Sequence, residues 1–445
     1  MEAKFTLKTR REFLRTTVLG GALSWTVPTF LAKTFSALQA EAANAANVAS
    51  GKDSPVLVIL QMAGGNDGLN TVAPFTNDHY FRARPRLAHK PNTVLKLSDQ
   101  VGLHPSLSGF QALFDQGYLA VAQGVGYPNP NRSHFRSTEI WQTASDSKKV
   151  EKYGWLGRYF DNCCSGADPT VGVNIGRQMP QAFAAKNPAG ISLDNPDNYR
   201  LMGVDPSGGM DPAEQSLREM NRPRTKADAG ADADSGGTIG AVAGKARIGG
   251  SVLDYVERTA LDAQVSSEQI REISKKVANQ ASYPASQLGN GLKLIARLIG
   301  GGLPTRIFYV SQGGYDTHTN QAGPQARLLQ DLGDSVKAFV DDLKAQGNFQ
   351  RVLVMTFSEF GRRVAENASG GTDHGAAAPL FVVAPKVKSG FLGKYPSLAP
   401  EDLLNGDLKY EVDFRCVYAA VLEKWLKTRS EPVLGGKFEP LPIVA

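Results

Sequence analysis

The sequence predicts an α/β fold with a mostly parallel central sheet and helices on both faces. The first observation is a set of continuous apolar runs, which are typical of strands buried on both faces. They lie at 54–62, 117–126, 305–312, 349–357 and 378–385. The second observation is that amphipathic helical patterns separate these runs. Such an alternation of strands and helices is typical of an α/β domain.

The clearest helix is expected over 323–347, because its apolar residues recur every three or four positions and so share one face. They are Leu328, Leu329, Leu332, Val336, Phe339, Val340 and Leu343. Shorter helical patterns cover 106–117 and 411–427, and another amphipathic helix follows Ser133. Together these elements place the domain at residues 52–430.

One segment, 207–300, interrupts this alternation and is predicted to be an insertion. Its first part, 207–250, is rich in Gly, Ala, Ser and Asp, a composition that cannot build a core. The remainder, 251–300, has helical patterning. We therefore expect a loop followed by a helical layer or lid on the sheet.

The amino-terminal residues 1–42 are interpreted as a twin-arginine signal peptide. Arg10 and Arg11 precede a short, moderately apolar segment that contains two glycines and a proline, so no stable membrane span is expected. This predicts the twin-arginine translocase as a partner and a periplasmic or secreted protein. The alternative is a basic, disordered tail.

The charge of the chain is too mild to favour nucleic acid as a partner. The formal net charge is +6, and it falls to +3 without the first 42 residues, which hold six Lys/Arg and three Asp/Glu. A small anionic ester or a sugar-derived substrate suits this balance better than a polyanion.

The three cysteines do not form a disulfide framework. Cys163 and Cys164 are adjacent, and a bridge between neighbours is strained, so two free thiols are favoured over a bridge. Cys416 is expected on the apolar face of a helix.

Acids and histidines flank four of the five predicted strands. Ligands of open α/β sheets bind beyond the carboxyl ends of the strands, so these side chains are expected in one cleft. Carboxylate and imidazole together suit Zn²⁺, Mn²⁺ or Fe. The candidate metal ligands are Asp67, Asp316, His318, Glu359, Asp373 and His374.

Each candidate also has an alternative without a metal. Asp67 fits an Asx-turn. Glu359 fits an acid at a helix amino terminus, where the macrodipole favours it. His374 fits a hydrogen-bonded loop histidine. Their shared position beside the strand ends favours a common metal site.

Ser133 has two interpretations. It occupies the N-cap position of a predicted helix, where a hydroxyl commonly caps the backbone. Beside a metal, the same hydroxyl is a candidate nucleophile. Arg132, His134 and Arg136 flank it and suit an oxyanion at a helix amino terminus.

Several motifs carry a family resemblance over most of residues 54–430. They are the export-like start, "GGNDGLNT", "NPNRSHFRSTEIWQT", "GGYDTHTNQ", "FSEFGRR" and "DHGAAAPLFVV". The chain resembles the family called domain of unknown function 1501, in the alkaline phosphatase and sulfatase superfamily. The resemblance implies an alkaline-phosphatase-like fold, divalent metal ions and a hydroxyl nucleophile at Ser133.

The resemblance also implies how the candidate metal ligands divide between two metal sites. One metal site would be Asp316, His318 and His374. A second would combine Asp67 and Glu359, with Ser133 as a further ligand. The chain has Glu359-Phe360 where many superfamily members have Asp-His, so this second site lacks an imidazole. The alternatives are a weaker and harder ion such as Mg²⁺ or Ca²⁺, the recruitment of His134, or no ion.

Two functions remain at this point. The first is an exported, metal-dependent hydrolase of phosphate or sulfate esters, in which Ser133 attacks and Arg132, Arg136 or Arg362 holds the anion. The second is a non-catalytic exported protein of surface assembly or polysaccharide handling that retains the fold and a structural metal. For Asp373 the alternatives are a metal ligand and a partner that orients His374.

Overall fold

A computed structural model describes residues 54–164, 169–187, 190–196 and 268–444. The predicted signal peptide and the glycine-rich segment 207–250 lie outside these residues, so the three predicted domain boundaries stay predictions. The described strands are β1 (Val56–Met62), β2 (Val72–Ala73), β3 (Leu95–Lys96), β4 (Gly102–Leu103), β5 (Leu119–Gly126), β6 (Gly172–Ile175), β7 (Ile191–Leu193), β8 (Ile307–Gln312), β9 (Val352–Phe357), β10 (Ala378–Val383), β11 (Gly390–Leu392) and β12 (Val412–Asp413).

Helices connect these strands. They are α1 (Gly68–Thr71), α2 (Asp78–Ala83), α3 (Ser108–Asp115), α4 (His134–Thr143), α5 (Trp155–Cys163), α6 (Gln287–Gly300), α7 (Ala322–Ala345), α8 (Phe414–Ala420) and α9 (Ser430–Leu434). Residues 268–276 are also helical, and α8 continues as a π-helical turn over Val421–Trp425. Among the described helices, none is both long enough and apolar enough to cross a membrane.

The main sheet confirms the predicted fold class. Its order in the described chain is β11-β5-β10-β9-β1-β8-β6-β7, with β12 beside β5. The central strand β1 runs parallel to both neighbours, and Leu57 pairs in register with Ile307 and with Leu353. All five predicted apolar runs form strands of this sheet.

Strand β10 departs from the expected direction. It is antiparallel to β9 and to β5, whereas the other described pairs of this sheet are parallel. Its amino-terminal end therefore lies at the same edge as the carboxyl ends of β1, β8 and β9. Residues that precede β10 thus meet residues that follow the other strands.

Side chains from both faces of the sheet are buried under helices. On one face, Leu57 and Ile59 pack in a core with Trp141 of α4, Trp155 of α5 and Tyr418 of α8. Successive strand residues alternate between faces. The opposite face is covered by α3, α6 and α7, which pack together.

Aromatic contacts reinforce both layers. Phe110 of α3 meets Phe381 of β10 with ring centroids 4.9 Å apart. On the other face the Trp155 ring stacks on Tyr418 at 4.3 Å. The predicted helices over 106–117, 323–347 and 411–427 are all present, with ends that differ by a few residues. Because α6 packs beside β8, the described end of the predicted insertion is a helical layer.

The expectation for the adjacent cysteines is wrong. Cys163 ends α5, and Cys164 leaves the helical conformation with φ −135° and ψ 29°, so the two sulfur atoms can meet. The structure bonds them in a disulfide. Cys416 is a free, half-buried thiol in α8, as expected.

Candidate functional site

Glycines let the loops around the candidate site approach each other. The loop after β1 contains Gly64, where a Cβ atom would lie 2.5 Å from the backbone nitrogen of Asp316. Gly64 also has φ +120°, which side-chain-bearing residues rarely adopt. Before β10, a Cβ on Gly371 would lie 2.2 Å from the carbonyl carbon of His318. Glycine at both positions therefore places Asp316 and His318 against neighbouring loops.

Asp316, His318 and His374 form the centre of the candidate site. The Nε2 atom of His318 lies 3.0 Å from Asp316 Oδ1, and that of His374 lies 3.1 Å from the same oxygen. The two Nε2 atoms are 2.9 Å apart. The three residues predicted as the first metal site thus lie together in the structure.

A third imidazole, His134, joins this group. Its Nε2 atom lies 3.4 Å from Asp316 Oδ2, and its Nδ1 atom lies 2.8 Å from Glu359 Oε1. The ligand atoms of His134, Asp316 and His374 all lie within 4.8 Å of one another. His134 is the first residue of α4, so the helix start delivers it to the edge of the sheet.

Each of the three imidazoles is oriented by an acceptor at Nδ1. His318 faces Asp373 Oδ1 at 3.2 Å, and His134 faces Glu359. His374 faces the backbone carbonyl of Arg132 at 2.9 Å. Because carbonyl and carboxylate oxygens only accept hydrogen bonds, a neutral ring that donates from Nδ1 would leave its Nε2 atom for a metal ion. Each Nε2 atom is directed towards Asp316.

This donor set fits a divalent transition metal ion. Neutral imidazole nitrogen and carboxylate oxygen are ligands of Zn²⁺, Mn²⁺ and Fe, and separations near 3 Å between donors match bonds of about 2.0–2.2 Å to one ion. Ligating histidines usually donate their other N–H to a carboxylate or a carbonyl, and each Nδ1 atom here faces such an acceptor. Asp316, His134, His318 and His374 are thus suited to hold one ion.

The environment keeps Asp316 ionised. Partial burial opposes its ionisation, but hydrogen bonds from Arg362 and His374 outweigh burial and lower its pKa to about 2. Its side chain is 47% exposed and that of His318 is 41% exposed. The carboxylate is therefore charged at neutral pH and reachable from solvent.

Arg362, predicted as an anion holder, lies beneath this centre. Its side chain is fully buried, and its Nη2 atom lies 2.8 Å from Asp316 Oδ1. Its guanidinium also donates to four backbone carbonyls, those of Gly64, Gly65, Tyr315 and Thr372. These contacts bind together the loops after β1 and β8 and the loop before β10. A fully buried guanidinium cannot itself touch a substrate.

The structure places Asp67 outside the group of Asp316 and the three histidines. Its carboxylate is buried, and Arg84 Nη1 donates to Oδ2 at 2.6 Å while Gln321 donates to the same oxygen. The described residues show no hydrogen bond or ion pair between Asp67 and the histidine centre. Glu359 lies beside the centre, but its Oε1 holds His134 and accepts from the Gly64 backbone at 2.9 Å. The predicted second pair, Asp67 and Glu359, is therefore not brought together.

The remaining predicted residues divide between the site and its surroundings. Asp373 contacts His318, whereas the expectation paired it with His374. Arg132 forms an ion pair with the buried Asp407 at 2.5 Å. Arg136 forms an ion pair with Glu139 at 2.7 Å. The guanidinium groups of Arg132 and Arg136 thus already have acidic partners.

Ser133 occupies the predicted N-cap position of α4, but its hydroxyl makes no cap hydrogen bond. Its backbone N–H instead donates to Asn131 Oδ1 at 2.8 Å. The capping interpretation is therefore wrong, and the exposed hydroxyl stays available one residue before His134.

Sequence reasoning missed two groups that shape the centre. The buried Phe360 ring lies 4.9 Å from the His134 ring and 4.7 Å from the His374 ring, so it packs beneath both. Asn367 donates to the His318 carbonyl at 2.9 Å and to Asp373 Oδ1 at 3.1 Å. A signal for Phe360 was its position next to Glu359, but nothing in the local sequence indicated Asn367.

Solved structures with a similar architecture are distant. The C-terminal periplasmic domain of EcEptC from Escherichia coli, solved with zinc, is 12% identical, with a TM-score of 0.33 and coverage of 75% of this chain and 74% of that one. The lipoteichoic acid synthase LtaP from Listeria monocytogenes is 9% identical, with a TM-score of 0.31 and coverage of 82% and 75%. Alkaline phosphatase from the Antarctic bacterium TAB5 is 11% identical, with a TM-score of 0.29 and coverage of 75% and 92%. Similarity this distant does not transfer an activity.

Sequence comparison gives a clearer result for the family than for any single relative. No curated protein matches the chain. A family model described as "Protein of unknown function (DUF1501)" matches residues 54–410, which is most of the chain and contains every residue of the candidate centre. The chain therefore belongs to the DUF1501 family.

Proposed function

We propose that the chain is a hydrolase of phosphate or sulfate esters that uses one divalent metal ion. His134, His318, His374 and Asp316 would hold the ion. The observation that carries the proposal is that three imidazole Nε2 atoms face one carboxylate, while a hydrogen-bond acceptor faces each Nδ1 atom. When bound, Zn²⁺, Mn²⁺ or Fe would polarise the ester oxygen and stabilise the leaving group.

The chain's own groups have distinct tasks in this proposal. Glu359, Asp373 and the Arg132 carbonyl fix the tautomers and the ring planes of the three histidines. Phe360 keeps water from the buried side of the His134 and His374 rings. The solvent side remains open, since the Asp316 and Asp373 side chains are 47% and 53% exposed. A small ester can therefore approach from that side.

Ser133 is the proposed nucleophile. Its exposed hydroxyl caps no backbone group and directly precedes His134, so we assign it to the rim of the centre. The rim is also the amino terminus of the ten-residue helix α4, whose positive dipole end favours an anionic phosphate or sulfate group.

The arginine contacts favour a second candidate function. Arg132, Arg136 and Arg362 each have protein partners, so none of the three predicted anion holders has its charge uncompensated. A non-catalytic protein of surface assembly or polysaccharide handling, with the metal in a structural role, would have no need of an anion holder. Ester hydrolysis discriminates between the two candidates.

The test is the replacement Ser133→Ala assayed on aryl phosphates and aryl sulfates with Zn²⁺ or Mn²⁺. We expect loss of hydrolysis, retention of the bound ion and a change of less than about 0.5 kcal/mol in the free energy of unfolding, since no cap is lost. The matched control is Ser397→Ala, an exposed serine whose hydroxyl accepts a hydrogen bond from Ala399 in its own turn at 3.3 Å. A metal-loaded wild-type protein that cleaves no ester would establish the non-catalytic candidate instead.

We also propose that the protein is exported by the twin-arginine route to the periplasm or beyond. The support is the Arg10-Arg11 pair before a short apolar segment. Replacing both arginines by lysine keeps the charge but removes the planar guanidinium groups. The doubly substituted protein should stay in the cytoplasm, and its normal export would rule out this route.

A further inference from the structure

A buried chain of hydrogen bonds links Asp67 to the two loops that carry His318 and His374. We call Arg84, Asp67, Gln321, Thr317 and Thr372 the relay. Their exposed fractions are 0%, 1%, 0%, 7% and 0%. Burying polar groups is costly unless they are hydrogen-bonded, and the hydrogen bonds of the relay fix one local geometry, although Asp67 Oδ1 has no hydrogen-bond partner in the described chain.

The chemistry of Asp67 determines which end of the Gln321 amide faces it. Its carboxylate can only accept hydrogen bonds, so the Gln321 amide must present Nε2 to Oδ2. The Gln321 Oε1 atom consequently faces the other way. There it accepts from the Thr372 hydroxyl at 2.6 Å and from the Thr317 hydroxyl at 3.1 Å.

The two threonines are adjacent to the candidate metal ligands. Thr317 lies between Asp316 and His318, and Thr372 lies two residues before His374. One amide oxygen thus holds both ligand loops from beneath.

Arg84 extends the same network to an earlier part of the loop between β9 and β10. Its Nε atom donates to the Val364 carbonyl at 2.8 Å, and its Nη2 atom donates to the Arg363 carbonyl at 2.8 Å. Asp67 itself follows β1. The relay therefore connects the loops after β1 and β8 with the loop between β9 and β10, at the edge where the candidate centre lies.

We propose that Asp67 and Gln321 are positioning residues that hold the His318 and His374 loops at the separation that metal binding needs, and that Asp67 is not a metal ligand. This inference rests on the proposed metal centre but not on ester hydrolysis. Arg84 already neutralises the Asp67 carboxylate, and both side chains are fully enclosed. The contribution of Asp67 to the centre is therefore transmitted through the Gln321 amide.

The test measures zinc affinity by competition with a fluorescent chelator, and zinc content at saturation, in the full chain. Gln321→Glu places a second carboxylate against Asp67, and we expect about 10–100-fold weaker zinc binding, as for loss of other outer partners of ligands. Adding Asp67→Asn to Gln321→Glu again places one amide donor against one carboxylate. The double variant also keeps the total charge of the wild-type pair. The double variant should bind zinc within about threefold of wild type, a rescue that general damage to the fold would not give.

A threonine control separates positioning from stability. Thr317→Val together with Thr372→Val removes the two hydroxyl donors with little change of shape, and should also weaken zinc binding about tenfold. Thr305→Val is the matched control. Its buried hydroxyl donates to the Thr170 carbonyl at 2.6 Å, and it precedes β8, at the opposite edge of the sheet. It should lower the melting temperature and leave zinc affinity unchanged.

Three results would overturn the inference. Asp67→Asn alone could lower the zinc content below one ion per chain, which would make Asp67 a ligand. Gln321→Glu could reduce the melting temperature yet leave zinc affinity unchanged, which would make the relay merely structural. A wild-type chain that binds no zinc would overturn both the relay and the proposed centre, whereas zinc binding without ester hydrolysis contradicts only the proposed hydrolase.

Discussion

Asp316 and Asp67 each follow a buried parallel strand and each contacts an arginine, yet their side chains are 47% and 1% exposed. Around Asp316 the neighbours are three imidazoles whose Nε2 atoms face the carboxylate. Around Asp67 they are amides, hydroxyls and the Arg84 guanidinium. Aspartate thus serves two different purposes. Asp316 lies in an open site suited to exchange a cation, whereas Asp67 lies in an enclosed scaffold.

The two arginines account for much of this difference. Arg84 donates to Asp67, and the side chains of this pair are only 0% and 1% exposed. The negative charge of Asp67 is therefore compensated permanently. Arg362 contacts Asp316 through one oxygen and leaves the carboxylate open to solvent and to the histidines. An acid at a strand end is therefore a metal-ligand candidate only where its outer side remains open.

The largest expected effect is on zinc retention. Asp316→Asn removes the carboxylate that all three imidazoles face, and should weaken zinc binding by more than about 100-fold, beyond the 10–100-fold typical of outer partners. Asp67→Asn should still hold one zinc ion per chain at saturation. Elemental analysis after gel filtration measures both, and equal zinc loss in the two variants would remove the distinction between the aspartates.

The next largest effect concerns the enclosed pair. Arg84→Met leaves the Asp67 carboxylate buried without its counter-charge, and should lower the free energy of unfolding by about 3–5 kcal/mol. The control is Arg177→Met, because the Arg177 side chain is 89% exposed in its pair with Asp194 and should contribute only about 0–1 kcal/mol. Urea denaturation of the two variants gives the comparison. A similarly small loss of unfolding free energy in both variants would mean that water reaches the Asp67 carboxylate despite its burial.

The third effect is a pH dependence of stability on the Asp67 side of the molecule. Burial, and to a lesser extent the neighbouring His89, lower the pKa of His104 to about 3, against an opposing effect of Asp67. The His104 side chain is 4% exposed, and its ring centroid lies 4.5 Å from that of His89. The folded state therefore rejects a proton that the unfolded chain accepts below pH 6.5.

The sign of this dependence follows from the lowered pKa. His104 costs no stability above pH 6.5, and stability falls as the pH drops from 6.5 towards 3, by up to about 1.4 kcal/mol per pH unit. His104→Gln should flatten that slope relative to wild type in thermal unfolding between pH 7 and pH 4. His79→Gln, on the surface of α2, is the control and should keep the slope. An unchanged slope in His104→Gln would show that His104 is protonated in the folded protein.

Local sequence alone determined five strands of the main sheet, the main helices and three residues of the candidate centre. Residues 55–60 and 307–310 are apolar without a break, and an apolar run between turn residues indicates a strand buried on both faces. The long helix over 323–347 followed from one face of apolar residues. Asp316, His318 and His374 were identified because they flank such strands, and strand ends gather at one edge of a sheet.

Tertiary structure alone decided which of these candidates share a site. The antiparallel direction of β10 brings His374 to the edge where β8 ends, and no local pattern distinguishes an antiparallel strand from a parallel one when both faces are buried. His134 meets Glu359 across 225 residues, and Asp67 meets Gln321 across 254. Contacts over such separations arise from the packing of whole elements, so the sequence proposes the ligands and the fold selects among them.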